Sequence, residues 1–280
     1  MMSQSERRTN EIQQGDPNQK KPRRATKNNK TMDKKRREEL SFDLINQALL
    51  SDESPFNITE AYKTTRTNIM FTLAGVEGCK TIIITSSIPG EGKTLSSINT
   101  AITFAQTGAK VLLIDCDLRK SKIHKYMQSD NKKGLSNILG SFDSLEDCLK
   151  HNEKCGIDYI TTGQTPPNPI ELLSSSKMEE MLQDLQQKYD YIFLDTPPVN
   201  VVADTTAISN LATGILFVVR HKYTTQDMIY KAISSLEFVN AKVLGFLLND
   251  VDLSTYSYTA KTKFGNYRYK NYYSYSNYYY

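Results

Sequence analysis

The strongest chemical signature in the sequence is a glycine-rich segment, Ser87-Ile88-Pro89-Gly90-Glu91-Gly92-Lys93-Thr94. It lies between an apolar run and a helical pattern, which is the context that a phosphate-binding loop requires. Glycines let successive backbone N–H groups curl around a β-phosphate at a helix N-terminus, Lys93 supplies a cation to the phosphate oxygens, and the Thr94 hydroxyl can bind Mg²⁺. Ser87 stands where the general pattern has glycine, so the first position is relaxed. The alternative, a chance surface turn, is disfavoured by the flanking strand and helix.

Three aspartates follow apolar strand patterns further along the chain. One pattern ends in Asp115 and Asp117, and another ends in Asp195. Residues two apart on an extended chain face the same side. Ligands of open α/β sheets bind beyond the carboxyl ends of the strands, where these carboxylates and the Lys93 loop would converge. Because Mg²⁺ prefers carboxylate, hydroxyl and phosphate oxygens, the set predicts a Mg-ATP site rather than three unrelated turn or cap residues.

The elements that must position these residues alternate along the middle of the chain. Several short β-branched runs are apolar at nearly every position, as expected for strands covered on both faces. The segments between them are long enough for right-handed crossover helices, so the pattern predicts a doubly wound, mostly parallel α/β sheet. A capping box formed by Asn57 and Glu60 predicts the start of the first helix. The predicted strands are Thr81–Thr85, Lys110–Asp115, Asp158–Thr161, Tyr191–Asp195, Ile215–Val219 and Val243–Leu248, and the predicted helices are 58–74, 92–107, 170–188, 203–212 and 225–240.

Composition separates a globular middle from two basic ends. The 280 residues carry a net charge of +4, with 39% apolar residues. Residues 1–39 hold 12 Lys and Arg against 6 Asp and Glu, which predicts a disordered basic arm. Residues 256–280 hold four basic residues, no acidic residue and ten of the 17 tyrosines, so 253–280 is predicted to be an exposed, disordered tail. The remaining segment, 55–252, is predicted to form one domain.

Composition also limits where the protein works. No apolar run approaches the roughly 18 residues that span a bilayer, and the first residues are polar and basic, unlike a signal peptide. The four cysteines show neither C-x-x-C pairing nor a histidine at metal-ligand spacing, which indicates reduced cytosolic thiols. Basic ends can contact nucleic acid or an anionic membrane, and a solvated arm without a partner is the alternative.

The ordered motifs G-E-G-K-T, I-D-C-D-L-R and F-L-D-T-P-P-V, followed by a tyrosine-rich end, resemble the bacterial tyrosine kinases (BY-kinases) that control capsule and exopolysaccharide synthesis. The resemblance runs from about Glu60 to the end and includes P-P-N-P-I-E-L-L at 166–173. It implies a P-loop ATPase fold related to the ParA/MinD group, and the H-R-D and D-F-G sets of eukaryotic kinases are absent. Glu60, Lys63 and Arg66 resemble the family's E-x-x-R-x-x-R ring-assembly motif, with Lys63 replacing the first arginine. A solvated helix face with an ion pair is the alternative.

The resemblance implies transfer of the γ-phosphoryl group of ATP to tyrosine, with autophosphorylation of the tail in trans. It leaves open which of Asp115 and Asp117 is the base. The implied residues are Lys93, Asp115 and Asp117 for catalysis; Gly90, Glu91, Gly92, Lys93, Thr94 and Leu95 for ATP; Thr94, Asp115 and Asp195 for Mg²⁺; Glu60, Lys63 and Arg66 for oligomerisation; and Tyr267, Tyr269, Tyr272, Tyr273, Tyr275, Tyr278, Tyr279 and Tyr280 as phosphoacceptors.

The resemblance further implies several partners: a transmembrane adaptor that regulates polysaccharide chain length, a phosphotyrosine phosphatase, polysaccharide-assembly enzymes and further copies in a ring. It implies a cytoplasmic protein held at the inner membrane face through the adaptor, without nucleic acid. One alternative is a ParA/MinD-like positioning ATPase that binds DNA or lipid; Ile88, where those ATPases have an extra lysine, argues against it. The other is a non-enzymatic scaffold switched by ATP, which the intact Lys93 and aspartate set disfavours.

Overall fold

The computed structural model describes residues 47–251, 259–262 and 265–268. Seven strands of this part form one sheet, and two shorter strands pair separately. The strands of the sheet are β1 (Lys80–Ser86), β2 (Val111–Asp115), β3 (Leu149–Asn152), β4 (Ile157–Ile160), β5 (Tyr191–Asp195), β6 (Gly214–Arg220) and β7 (Val243–Asn249), and the separate pair is β8 (Thr259–Thr262) and β9 (Gly265–Arg268).

Helices connect these strands, as the alternating pattern predicted. They are α1 (Phe56–Thr72), α2 (Lys93–Ala105), α3 (Ile123–Tyr126), α4 (Leu135–Leu139), α5 (Leu145–Cys148), α6 (Pro169–Leu173), α7 (Ser176–Gln186), α8 (Asp204–Ala207) and α9 (Gln226–Phe238), with a 3-10 turn at Ser209–Leu211.

The strand order of the main sheet is β3-β4-β2-β5-β1-β6-β7, and every neighbouring pair is parallel except β3 with β4. The predicted doubly wound, mostly parallel sheet is therefore confirmed. All six predicted strands are present within about one residue at each end. Sequence reasoning missed β3, because its four residues, Leu-Lys-His-Asn, are mostly polar and show no strand pattern at the sheet edge.

Two apolar cores cover the two faces of the central strands. Ile82 and Ile84 of β1 pack with residues of α1 and α2 on one side, whereas Ile83 points into the core on the side of α7 and α9. The five residues of β2 are all buried for the same reason. Because both faces of the central strands are covered, most of their positions are apolar, and this burial supplies most of the driving force for folding.

Helix boundaries differ from the predictions where short polar residues interrupt the chain. The capping box was wrong: α1 begins after Pro55, and Asn57 lies inside its first turn. The predicted helix 170–188 is two helices, because Ser175 caps α7 and accepts a bond from the Met178 N–H. The short helices α3, α4 and α5 were not predicted, since each is too short to show an amphipathic period.

The predicted disorder of the two ends of the chain stays largely a prediction. The arm 1–39 lies outside the described residues, and within 253–280 the structure describes only β8 and β9, which pair antiparallel. The proposed division into 1–39, 55–252 and 253–280 therefore stays a prediction. Among the described residues, no helix is both long enough and apolar enough to cross a bilayer.

Candidate active site

The predicted site residues meet at the carboxyl ends of three adjacent strands. The glycine-rich loop follows β1, Asp115 ends β2, and Asp195 ends β5, which lies between β1 and β2. Asp115 and Asp195 are direct partners in the β2–β5 register. A cleft opens beside them, lined by the loop and by residues that follow β2 and β5. The order of the strands thus brings Lys93 and Asp195 together, although about a hundred positions separate them in the sequence.

The glycine-rich loop depends on two glycines with left-handed backbone conformations. Gly90 has φ 88° and Gly92 has φ 87°, a region that other residues rarely adopt. Gly92 also precedes the first turn of α2 directly, and a Cβ there would lie 2.1 Å from Nδ2 of Asn249. Of the residues predicted to bind ATP, five line the cleft: Gly90, Gly92, Lys93, Thr94 and Leu95.

Lys93 is the cation at the centre of the carboxylates. Its Nζ lies 3.1 Å from Oδ2 of Asp117 and 3.7 Å from Oδ2 of Asp195. Burial by itself lowers the pKa of Lys93, but the charges of Asp195, Asp117 and Asp115 outweigh burial and raise that pKa above its usual range. The lysine is therefore a permanent cation at the end of the cleft where phosphates would lie.

Asp115 and Asp117 have different surroundings despite their spacing of two. Asp115 is fully buried; its Oδ1 accepts from the Asp117 N–H, and its Oδ2 accepts from the N–H groups of Lys122 and Ile123, each 3.1 to 3.2 Å away. Burial, followed by the charge of Asp195, raises the pKa of Asp115 to about 8. Asp117 instead lines the cleft, and its Oδ1 accepts from the Lys120 N–H at 3.0 Å. Asp117 is thus the carboxylate that a substrate can touch.

Asp195 carries one oxygen atom that lacks a hydrogen bond. The Ser97 hydroxyl lies 3.0 Å from Oδ1, whereas Oδ2 is buried and has no hydrogen-bond partner among the described residues. Burial raises the pKa of Asp195, opposed by the charge of Lys93 and by hydrogen bonds from Thr94 and Ser97. A buried carboxylate oxygen that accepts no hydrogen bond, 3.7 Å from the Lys93 ammonium, fits a hard divalent cation.

The described residues also limit the kind of cation site that this cleft can form. Within the described residues, no group of three or more His, Cys, Asp or Glu side chains is placed to hold a metal by itself. Mg²⁺ usually binds through one or two carboxylates together with substrate phosphates and water. The donors Thr94 and Asp195 therefore fit an ion that arrives with a nucleotide, and the sequence-based set of Thr94, Asp115 and Asp195 remains a prediction.

Glu91, the remaining residue predicted to bind ATP, has a different place. Its side chain has no exposed surface, and one oxygen accepts from the Ser87 hydroxyl at 2.9 Å and the Ile88 N–H at 2.7 Å. The other oxygen accepts from the hydroxyl of Thr224, and Nδ2 of Asn249 donates to the Glu91 carbonyl at 2.9 Å. Glu91 therefore stabilises the conformation of the loop through its bonds with Thr224 and Asn249, which lie near the ends of β6 and β7.

Several residues at the cleft were missed by sequence reasoning. Arg119 forms a two-point ion pair with buried Asp204, with Nε 2.8 Å from Oδ2 and Nη2 3.1 Å from Oδ1. Tyr126 from α3 also lines the cleft, and burial raises its pKa. Arg119 was visible as part of I-D-C-D-L-R, but nothing in the sequence indicates its partner 85 positions away.

The residues predicted for oligomerisation lie on α1, away from the cleft. Nζ of Lys63 is 2.9 Å from Oε1 of Glu60, with both side chains a little under half exposed. Arg66 turns toward α2, where its Nη1 donates to the Thr103 carbonyl at 2.7 Å. Of the predicted phosphoacceptors, the backbone of Tyr267 lies in β9, and the others lie outside the described residues.

Known proteins match this chain over the region that forms the main sheet and the cleft. A family model described as an AAA domain matches residues 79–244. Tyrosine-protein kinase YwqD of Bacillus subtilis is 39% identical over 199 residues, which are 71% of this chain and 84% of YwqD. Putative tyrosine-protein kinase CapB of Staphylococcus aureus is 35% identical over 217 residues, covering 76% of this chain and 95% of CapB. Putative tyrosine-protein kinase EpsB of Ralstonia solanacearum is 37% identical, but the match spans 28% of its length.

Solved structures agree with these matches. The kinase domain of Escherichia coli tyrosine kinase ETK has a TM-score of 0.68 at 33% identity, covering 73% of this chain and 80% of that domain. The chimerical protein CapA2B2 has a TM-score of 0.67 at 34% identity, covering 71% and 86%. MinD of Pyrococcus horikoshii, solved with Mg-ADP, shares the fold at 22% identity and a TM-score of 0.52, over 61% of this chain and 70% of MinD.

Proposed function

Because the chain belongs to the bacterial tyrosine-protein kinases, a family with a P-loop ATPase fold, we propose that it transfers the γ-phosphoryl group of ATP to tyrosines in the C-terminal segment of a neighbouring copy. The family resemblance in the sequence is thereby confirmed. The observation that carries the proposal is the position of Lys93, between Asp117 and Asp195 beside a glycine loop, in a chain that ends in a tyrosine cluster.

Phosphoryl transfer requires mainly positioning and neutralisation of charge, and this chain supplies both. Lys93 would contact the oxygens of the transferred phosphate, and the backbone after Gly90 would hold the β-phosphate. Thr94 and Asp195, with Asp115 behind them, would hold Mg²⁺, which when bound neutralises phosphate charge. Asp195 fits the role of a Mg²⁺ ligand because its Oδ2 is buried and accepts no hydrogen bond from the described residues.

The proton of the phenol needs an acceptor, because tyrosine has a pKa near 10. We assign this role to Asp117, since it lines the cleft, whereas both oxygens of Asp115 are buried and accept backbone hydrogen bonds. Asp115 then acts as a positioning residue that holds the backbone of Asp117, Lys122 and Ile123. This assignment chooses between two alternatives that the sequence leaves open.

The acceptor is proposed to be the tail of an adjoining subunit. Ten tyrosines in the last 25 residues give a high local concentration of phenol once two copies are joined. Glu60 and Lys63 on α1 are exposed enough to meet a neighbour. Arg66 already binds the Thr103 carbonyl, so in a ring it would connect its own α2 to the contact.

The cellular role is proposed from relatives that include CapB, EpsB and a putative tyrosine-protein kinase in the cps region of Klebsiella pneumoniae. These names support a function in capsule or exopolysaccharide synthesis. We propose that the kinase is cytoplasmic, that a transmembrane adaptor holds it at the membrane and activates it, and that a phosphotyrosine phosphatase reverses the modification.

The first test is phosphotyrosine detection after incubation with Mg-ATP, with and without the cytoplasmic tail of a candidate adaptor. Lys93→Ala should abolish the signal, and Lys188→Ala, an exposed lysine remote from the cleft, should retain it. Mixing full-length Lys93→Ala with a chain truncated at Ser254 tests transfer in trans, because the first offers only acceptors and the second only a site. Modified Lys93→Ala protein supports the proposal.

Two results would contradict it. If neither the full chain nor the mixture is modified although the full chain and the truncated chain bind nucleotide and every protein melts cooperatively, the kinase assignment fails. ATP hydrolysis that DNA or lipid stimulates, without phosphotyrosine, would instead indicate a positioning ATPase.

A further inference from the structure

Two lysines at the mouth of the cleft have no role in the mechanism above. Lys120 and Lys122 line the cleft beside Asp117, and both side chains are exposed. Neither forms an ion pair with a described residue, whereas neighbouring Arg119 is paired with Asp204. We call Lys120 and Lys122 the basic rim. It places two positive charges at the entrance to the active site, and no acidic side chain of the described residues forms an ion pair with either of them.

Backbone hydrogen bonds place the basic rim at a defined distance from the reacting groups. The N–H of Lys120 donates to Asp117 at 3.0 Å, and the N–H of Lys122 donates to Asp115 at 3.1 Å. The main chain of Lys120 is thus fixed on the proposed base, Asp117, and that of Lys122 on the positioning residue Asp115. A lysine side chain reaches about 6 Å from its Cα, so both ammonium groups can meet an anion just outside the position of the acceptor hydroxyl.

The charge of the proposed substrate makes this placement unexpected. Residues 256–280 hold Lys261, Lys263, Arg268 and Lys270 and no acidic residue, so an unmodified tail gains nothing from a basic rim. Each phosphate adds about −1.5 to −2 charges, so two phosphates offset most or all of the four positive charges of the tail and three reverse its charge. Phosphate and ammonium then form charge-assisted hydrogen bonds. The rim therefore matches the product of a first transfer better than the starting tail.

We propose that the basic rim binds a phosphotyrosine already present in the tail and so presents a nearby tyrosine to Asp117. This rests on the proposed tyrosine kinase function and adds that the preferred substrate is a tail already carrying phosphate. Residues two or three apart on an extended chain are separated by about 7–10 Å, comparable to the reach of the rim. Tyr273, Tyr275 and Tyr278 have this spacing. The first transfer to a tail is then slow, and later transfers are faster.

The direct test is binding, which needs no catalysis. Fluorescein-labelled peptides of residues 266–280, either unmodified or phosphorylated at Tyr275, are titrated with the phosphatase-treated full chain in Mg-ADP, and Kd is read from anisotropy. We expect the phosphopeptide to bind about fivefold or more tightly than the unmodified peptide. The double variant Lys120→Gln/Lys122→Gln should reduce this ratio to near one. Lys125→Gln, an exposed lysine of α3 that does not line the cleft, should keep it.

Two binding results would overturn the inference. One is the absence of a phosphopeptide preference in the unaltered chain. The other is an equal loss of ADP affinity in the double variant, since the lysines would then belong to the nucleotide site. Failure of the kinase proposal is separable, because it appears as missing phosphotyrosine, whereas the peptide ratio is measured without transfer.

The time course of tail modification provides a second measurement. Mass spectrometry of the full chain during reaction with Mg-ATP should show fewer singly phosphorylated tails than independent sites would give, after an initial lag. The double variant should lose the lag and approach the independent distribution. An unaltered distribution in the variant would contradict the inference even if modification itself is robust.

Discussion

The hydroxyl of Thr224 donates to the carboxylate of Glu91, a side chain with no exposed surface inside the glycine-rich loop. Thr224 lies in the turn between β6 and α9, 133 positions away in the sequence. The Arg220 guanidinium donates to the Gly90 carbonyl at 3.2 Å, and the Tyr223 hydroxyl donates to the Pro89 carbonyl, also at 3.2 Å. The end of β6 and the turn that follows it therefore bind the phosphate-binding loop at three successive residues, Pro89, Gly90 and Glu91.

Removing the hydroxyl of Thr224 should weaken both folding and nucleotide binding. Thr224→Val leaves one oxygen of a buried carboxylate without its donor, which costs about 1–3 kcal/mol of unfolding free energy. Urea denaturation and the Kd for a fluorescent ADP measure the two effects. Thr224→Ser should restore both values, and Thr67→Val on exposed α1 should change neither. Equal behaviour of the valine and serine variants would show that the hydroxyl has no part in holding the loop.

A methyl group at Gly92 should damage the loop for two separable reasons. Gly92→Ala puts a Cβ 2.1 Å from Nδ2 of Asn249 and forces a left-handed conformation on alanine. We expect at least a tenfold loss of ADP affinity, equivalent to about 1.4 kcal/mol. Adding Asn249→Ala removes the clash but not the strain, so it should recover part of the loss, measured by the same titration. Full recovery would mean that the backbone conformation is immaterial.

The two-point pair between Arg119 and Asp204 should couple the segment after β2 to α8. Arg119→Met leaves the buried carboxylate of Asp204 unpaired, and we expect a loss of about 1–2 kcal/mol. This is less than for a fully buried pair, because the Arg119 side chain is 40% exposed. In a double-mutant cycle, Asp204→Asn should cost less in the Arg119→Met background than alone. Strict additivity in urea denaturation would rule out the coupling.

The pH dependence of stability should carry the signature of Asp115. Its pKa is about 8 in the folded protein, against 3.8 ordinarily, so between these values the unfolded chain loses a proton that the folded chain retains. The free energy of unfolding should then fall as pH rises from about 4 to about 8. In protein free of metal and nucleotide, Asp115→Asn should flatten this decline, and Asp184→Asn, an exposed carboxylate on α7, should not. Parallel curves for all three proteins would contradict the role of Asp115.

Local patterns were sufficient to predict the sheet and the central members of the site. The middle of a parallel strand that is buried on both faces is mostly apolar, so β1, β2, β5 and β6 each contain a short apolar run. The loop around Lys93 needs glycines at adjacent turns of the backbone, and the aspartates follow strands directly. These requirements act within about ten residues, which is why the sequence alone determined the fold class, the position of the cleft and the family.

The tertiary structure decided which side chains meet across long separations. Asp115 and Asp117 look equivalent in the sequence, yet packing buries one completely and leaves the other on the cleft. The resemblance places Glu91 among the residues that bind ATP, and only the tertiary structure shows that its side chain accepts from Thr224 and supports the loop. Hydrogen bonds and burial depend on partners that the chain brings close only after the sheet has formed, and no periodicity records those partners.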